Sequence, residues 1–244
     1  MNIVTKIIAI IQARMGSTRL AGKVLLKVKN KPILGYVIDR LSKSKKIDDI
    51  ILAITTSKKD DVLEEYAIKK SVKYFRGSED DVLSRYYLAA KKYNADYIVR
   101  ITSDCPFIDP EIVDNIIERH FNEGADYTAN ILKRTYPRGV DTEVINFEAI
   151  KQAYENAETS FQKEHVTPYI ARQPEKFKLL SIEAKGKMRR PDIRVTIDTK
   201  EDYKLIEKIL LHFDNLNFKT EDIIDFLDEN PELLEINKHI IHKD

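Results

Sequence analysis

Apolar and polar positions along this chain of 244 residues fall into blocks that switch between a period of about two and a period of about 3.6. The runs "KIIAIIQ" (6–12) and "DDIILAIT" (48–55) are short and β-branched, the length and character of strands buried on both faces. Between them "KPILGYVIDRLSKSKK" spaces Ile33, Tyr36, Val37 and Leu41 along one helical face, with Pro32 at its start and lysines at its carboxyl end. This βαβ unit is followed by helix "DDVLEEYAIKKS", strand "VKYF", helix "DDVLSRYYLAAKKY", strand "DYIVRIT" and helix "PEIVDNIIERHF". Asp109 is placed to cap the last of these and Pro110 to occupy its first turn. The alternation predicts a three-layer α/β fold, a mostly parallel sheet with helices on both faces and ligands at the carboxyl ends of the strands.

After about residue 125 the rhythm changes. "ADYTAN", "VDTEVIN", "KFKLLSIEA" and "DIRVTID" read as strands separated by longer excursions. Helices "KEDYKLIEKILLHF" and "TEDIIDFLDE" follow, and Ile236, Ile240 and Ile241 make the tail "PELLEINKHIIHKD" a packed helix. No proline-rich or Ser/Gly-rich linker divides the chain, so one domain is expected over 1–244, with 215–244 as a C-terminal helical extension.

Charge and cysteine content remove several function classes. With 41 basic and 40 acidic residues the net charge is +1, which gives no overall attraction to nucleic acid, so any anion must be met by a local site. The first apolar run is too short to span a membrane and no small-residue cleavage site follows it, which points to a soluble cytoplasmic protein. Cys105 is the only cysteine, excluding an intrachain disulfide and a cysteine-based zinc cluster.

The candidate chemistry begins directly after the first strand. "ARMGSTRLAGK" (13–23) holds two glycines, a Ser-Thr pair and three cations in eleven positions. A Walker loop is excluded twice over: Gly16 and Gly22 are one residue too far apart, and Val24 stands where the hydroxyl ligand belongs. Strand, glycine-permitted turn and cations in that order still suit a polyphosphate. "RITSDCPFIDP" sets Asp104 just past a buried strand, and "RVTIDTKEDY" repeats the arrangement with Asp198. A carboxylate there is costly unless paired, hydrogen-bonded or bound to metal. Two such aspartates beside a phosphate loop suit magnesium, which favours one or two carboxylates together with substrate phosphates. "YPRGVDTEVIN" adds Arg138, Asp141 and Glu143, with alternation putting the two acids on one side of a strand, free to act together or to pair with neighbouring cations. "QKEHVTPYI" supplies His165, either structural or pocket-lining.

Taken in order, "IIQARMGSTRLAGKVL", "GSEDDVLSRYYLAA", "RITSDCPFIDP", "RGVDTEV", "EHVTPYI" and "RVTIDTKEDY" resemble the cytidylyltransferase family that includes spore coat polysaccharide biosynthesis proteins. More distantly the chain is similar to acylneuraminate and 3-deoxy-manno-octulosonate cytidylyltransferases. The resemblance runs from the first strand to about residue 205, and Ala21 departs from a proline usual in that loop. It implies a Rossmann-like nucleotide-diphosphosugar transferase fold and attack of an acceptor oxygen on the α-phosphorus of CTP with release of pyrophosphate. It further implies that Ala13, Arg14, Met15, Gly16, Ser17, Thr18, Arg19 and Lys23 bind the triphosphate. Gly77, Ser78, Asp81 and Arg85 would border cytosine and ribose, and Asp104 and Asp198 would hold magnesium. Arg19 and Lys23 join the two aspartates as the catalytic set. Arg138, Asp141, Glu143 and His165 would lie toward a small acidic or phosphorylated acceptor, with 125–190 as the acceptor and dimerisation region of a homodimer. A glycosyltransferase is the main enzymatic alternative, although "SDCP" carries one carboxylate where a D-x-D motif would carry two; a non-catalytic nucleotide-binding protein is the other.

Overall fold

The computed structural model describes residues 5–240, and its elements follow the two periods of the sequence. Strand β1 (Ile7–Gln12) leads through a loop to a short hairpin, β2 (Lys27–Val28) and β3 (Lys31–Pro32), and then to α1 (Ile33–Leu41). Next come β4 (Asp49–Thr55), α2 (Asp61–Lys69), β5 (Lys73–Gly77), α3 (Val82–Lys92), β6 (Tyr97–Thr102) and α4 (Pro110–Glu123). The second half supplies β7 (Tyr127–Ala129), β8 (Glu143–Asn146), α5 (Phe147–Asn156), α6 (Ser160–His165), α7 (Pro168–Ala171) and β9 (Leu179–Ser181). Helices α8 (Lys200–His212) and α9 (Thr220–Glu229) complete the order.

Seven strands form one sheet in the order β5-β4-β1-β6-β8-β7-β9. The β5, β4, β1 and β6 strands are parallel, β8 runs antiparallel to both its neighbours, and β9 is parallel to β7. In β1 the side chains part by parity: Ile7, Ala9 and Ile11 pack with α1, α2 and α4, while Ile8 and Ile10 pack with α3 and α5. Both faces of β1 are therefore dry, which is why its sequence is a continuous apolar run. Complete burial of Ile8 or Ile10 is worth about 1.5–3 kcal/mol at most. A third apolar cluster joins α8 and α9 to Ile193, Val195 and Ile197 and to Ile33 and Tyr36 of α1.

The Asp109 side chain accepts from the Glu111 amide, with Pro110 in the first turn of α4, as the sequence implies. Pro32 is the N-cap of α1, and the helix ends at Leu41, so the lysines of "SKSKK" lie beyond it. The segment "DIRVTID" is not a strand of the sheet. It runs extended with a single parallel bridge, Arg138 to Arg194, because Ile193, Val195 and Ile197 turn inward onto α8 and α9 instead of joining a ladder. The tail forms a 3-10 helix over Pro231–Ile236 whose Leu233, Leu234 and Ile236 pack on the third cluster; Ile241 lies outside the described residues. Among the described residues no helix is long and apolar enough to cross a membrane.

Candidate active site

The carboxyl ends of β1 and β6, adjacent in the sheet, open onto one cavity of about 310 Å³. Beyond β1 the Ala13 amide still donates to the Ala53 carbonyl at 3.0 Å, and the chain then leaves the sheet. The loop is closed by the Gly22 amide donating to the Met15 carbonyl at 3.1 Å, with Gly22 at φ 66°, a left-handed conformation suited to glycine. Its near end is pinned by Asp60, 1% exposed, which accepts from the Met15 amide at 2.8 Å and from the Thr55 amide and hydroxyl at 3.1 and 2.6 Å. Arg14, Ser17, Thr18, Arg19 and Lys23 of this loop all line the cavity.

Asp104 and Asp198, 94 positions apart, meet across the Lys23 ammonium. Nζ lies 2.6 Å from Asp104 Oδ2, 2.8 Å from Asp198 Oδ1 and 2.7 Å from the Ile197 carbonyl. The other oxygen of Asp198 faces Arg19 Nη2 at 3.0 Å and Arg194 Nη2 at 2.8 Å. Burial opposes charge on Asp198, but Lys23, Arg194 and Arg19 overcome it and hold the carboxyl at about 2. Burial likewise works against the Lys23 ammonium, and the two carboxylates reverse this and raise its pKa.

Backbone contacts bring the two aspartates together. The Asp104 carbonyl accepts from the Ile197 amide at 3.0 Å and from the Thr196 hydroxyl at 3.2 Å. The Arg138 carbonyl accepts from the Val195 amide at 2.7 Å and the Arg138 amide donates to the Ile193 carbonyl at 2.9 Å, beside Gly139, whose φ is 112°; a Cβ there would stand 2.5 Å from the Val195 carbonyl oxygen, so only glycine lets the two segments approach. Behind Asp198, fully buried Asp202 takes Arg194 in a fork, Nε at 2.9 Å and Nη2 at 3.0 Å. It also accepts from the Asp198 and Thr199 amides at 2.9 and 3.1 Å and from Asn237 Nδ2 at 2.9 Å.

The floor of the cavity includes Gln12, Arg85 and Arg100. Arg100 pairs with Glu143, its register partner on β8, and donates to Gln12 Oε1 at 3.1 Å; Tyr127 donates to Glu143 at 2.5 Å. Burial pushes the Arg85 guanidinium below its usual pKa, and its Nε and Nη1 meet no acceptor among the described residues. On the far rim, Glu164 and His165 end α6. The next residue, Val166, is fully buried at φ 72° and ψ −59°, with the Thr167 amide donating to the His165 carbonyl at 2.9 Å. A γ-turn at a β-branched residue costs about 1–3 kcal/mol, and here it turns the chain sharply beside the cavity.

Of the residues singled out by sequence, the loop cations, Ser17, Thr18, Ala13, Arg85, Asp104, Asp198 and His165 line the cavity together. Met15, Gly16, Gly77, Ser78 and Asp81 do not line it. Ser78 accepts from the Asp81 amide and Asp81 caps α3, while a Cβ on Gly77 would come within 2.7 Å of Arg85. Asp141 and Glu143 have different partners. Asp141 precedes β8 and pairs with Arg134 at 2.5 Å, whereas Glu143 is buried on Arg100 and Tyr127. Arg138 borders a separate hollow with Pro191, Arg194 and Asn237. Sequence reasoning missed Arg100, Arg194, Asp60 and Glu164. A lone cation inside the apolar strand "YIVRIT" was the available signal for Arg100; Asp60 has no such signal.

A sequence model of the cytidylyltransferase family matches residues 8–239. An uncharacterized protein of Methanocaldococcus jannaschii is 45% identical, the match covering 98% of this chain and 97% of that protein. The spore coat polysaccharide biosynthesis protein SpsF of Bacillus subtilis is 36% identical over 93% of this chain and 95% of its own length. A solved cytidylyltransferase structure from Leptospira borgpetersenii superposes with a TM-score of 0.91 at 36% identity, covering 98% of this chain and 100% of that one. The sheet and its flanking helices are those of the nucleotide-diphosphosugar transferase fold. With the match extending from the first strand to the C-terminal segment, this chain belongs to the cytidylyltransferase family.

Proposed function

We propose that the protein transfers CMP from CTP to an acidic sugar or a phosphorylated acceptor, releasing pyrophosphate, in the assembly of a surface polysaccharide or glycan in the cytoplasm. The observation that carries this reading is the convergence of Asp104, Asp198 and the cations of residues 14–23 in one cavity at the carboxyl edge of β1 and β6. SpsF, named for spore coat polysaccharide biosynthesis, supports the glycan context.

In this reading Arg14, Arg19 and Lys23 bind the triphosphate and stabilise charge as it moves onto the leaving pyrophosphate. An acceptor oxygen forms a bond to the α-phosphorus as the bond from that phosphorus to the bridging oxygen of the β-phosphate breaks. Arg85 and Gly77 border the nucleoside, and Arg100, Glu164 and His165 border the acceptor. The region 125–190 carries the acceptor side and the contact of a homodimer. Two carboxylates converging on one cation suit a hard dication, and no third His, Cys, Asp or Glu joins them among the described residues. Phosphates and water would complete the sphere, the arrangement magnesium favours. Held by Asp104 and Asp198, magnesium would neutralise phosphate charge and align nucleophile with leaving group.

A pyrophosphate-release screen of each nucleoside triphosphate against acidic sugars and small phosphorylated acceptors tests the proposal. Release with CTP and one acceptor class, abolished by a chelator and restored by magnesium or manganese, is expected. CTP binding with no turnover across the panel would refute it.

A further inference from the structure

Every hydrogen of the Lys23 ammonium is spent inside the site. It has three N–H donors, and three acceptors stand at 2.6, 2.7 and 2.8 Å. None is left for a phosphate oxygen, although Lys23 belongs to the loop whose other cations face the cavity. The same ammonium covers one oxygen of each aspartate, Asp104 Oδ2 and Asp198 Oδ1. A dication cannot enter between those oxygens while a charge of +1 stands there with Arg19 and Arg194 close by on Asp198 Oδ2.

The cations around Asp198 are not equivalent. Arg194 is locked by the fork to Asp202 and by its place on the 194–198 backbone. Lys23 is tied only through its own tip, at the end of a flexible four-carbon stem. A triphosphate entering over residues 14–19 brings several negative charges and competes for that tip and for the half-exposed Arg19, but not for Arg194.

We propose that Lys23 is a resident counter-ion that closes the Asp104–Asp198 pair to divalent metal in the nucleotide-free protein and gives the carboxylates up when a polyphosphate draws its ammonium away. Metal then binds with nucleotide, never ahead of it, and the two carboxylates are never left buried without a cation. This inference rests on the reading of Asp104 and Asp198 as metal ligands.

The test is a titration of nucleotide-free protein with Mn²⁺, counting free ion by electron paramagnetic resonance. Lys23→Met is expected to bind Mn²⁺ at least tenfold more tightly than the parent, and Lys23→Met with Asp198→Asn to lose that gain. Equal affinity in parent and Lys23→Met, or weaker binding in the variant, overturns the inference and leaves the metal assignment standing. The parent alone supplies an arm that needs no variant. Inorganic pyrophosphate is expected to raise protein-bound Mn²⁺ at least tenfold beyond the sum of protein and pyrophosphate measured separately; no rise overturns the inference. If CTP also fails to bring Mn²⁺ onto the parent, the assignment of the aspartates as metal ligands falls with it.

Discussion

Replacing Asp202 with Asn tests whether the buried scaffold behind Asp198 is a source of stability. The substitution keeps the shape of the side chain but removes its charge and turns one of its two oxygens into a donor. Both oxygens are in use, one accepting from Arg194 Nε and Asn237, the other from Arg194 Nη2 and the Asp198 and Thr199 amides. Arg194 is 7% exposed, so losing its forked partner leaves a buried guanidinium with less compensation. Removing one member of a buried pair costs about 3–5 kcal/mol. Because Arg194 keeps Asp198, the lower end applies, about 3 kcal/mol. For a chain of this size each kcal/mol moves the melting midpoint by about 2–4 °C, so a fall of about 6–12 °C is expected. Urea unfolding at pH 7 with an unchanged m-value would give the free energy directly. A loss below about 1 kcal/mol would refute the reasoning and show that the network is compensated by water or by relaxation.

Acid should act on the same region. Asp198 is held at about 2 against an ordinary 3.8, so its stabilisation is complete above about pH 4 and is lost as pH falls through about 2. That shift corresponds to about 2 kcal/mol, and Asp198→Asn should show a flatter loss of stability between pH 5 and 2; a slope equal to the parent's would contradict it. Gly139→Ala should lower stability by about 2 kcal/mol or more, since φ 112° and the Val195 carbonyl both reject a Cβ, and an unchanged melting midpoint would disprove the close approach. Arg19→Ala, on a side chain 43% exposed, should leave the fold intact and weaken triphosphate binding by about 1.5–3 kcal/mol, measured by calorimetry; unaltered affinity would remove Arg19 from the phosphate site. Asp60→Asn should weaken CTP binding without touching substrate, because the Met15 amide loses its anchor; equal affinity would make Asp60 a purely structural residue of the turn between β4 and α2.

The parallel half of the sheet was legible because β1 and β4 read as nearly unbroken apolar runs and β6 is interrupted only by Arg100. The turn after β1 was legible because Gly22 at its close takes the left-handed φ of 66° that glycine permits. Partner choice was not. "DIRVTID" has a strand's alternation, and Ile193, Val195 and Ile197 do share one face, but alternation says nothing about whether a ladder or a pair of helices covers that face. The β2–β3 hairpin escaped because its turn uses Lys29 at φ 47° and Asn30 at φ 64°, and lysine is no signal for a positive φ. Helix α5 lay in a region read for strands, although "FEAIKQAYEN" buries Ala149, Ile150 and Ala153 at helical spacing. Asp141 and Glu143 share parity, but the strand that would align them begins only at Glu143.

The distances along the chain between the partners of Lys23 have a consequence for biosynthesis. Asp104 lies 81 positions downstream of Lys23 and Asp198 lies 175, and Asn237, near the end of the described chain, closes on the Arg194 carbonyl and on Asp202. At roughly 5–20 residues per second, a ribosome takes about 7–27 seconds to pass from Asp104 to Asn237. Through that interval the emerging chain can pair its sheet strands, but Arg194 and Asp202 still lack Asn237. A product cut short before Asn237 would retain the groups that face the cavity and lack the last support of the Asp198 turn. The support behind Asp198 is thus complete only once residue 237 has been made.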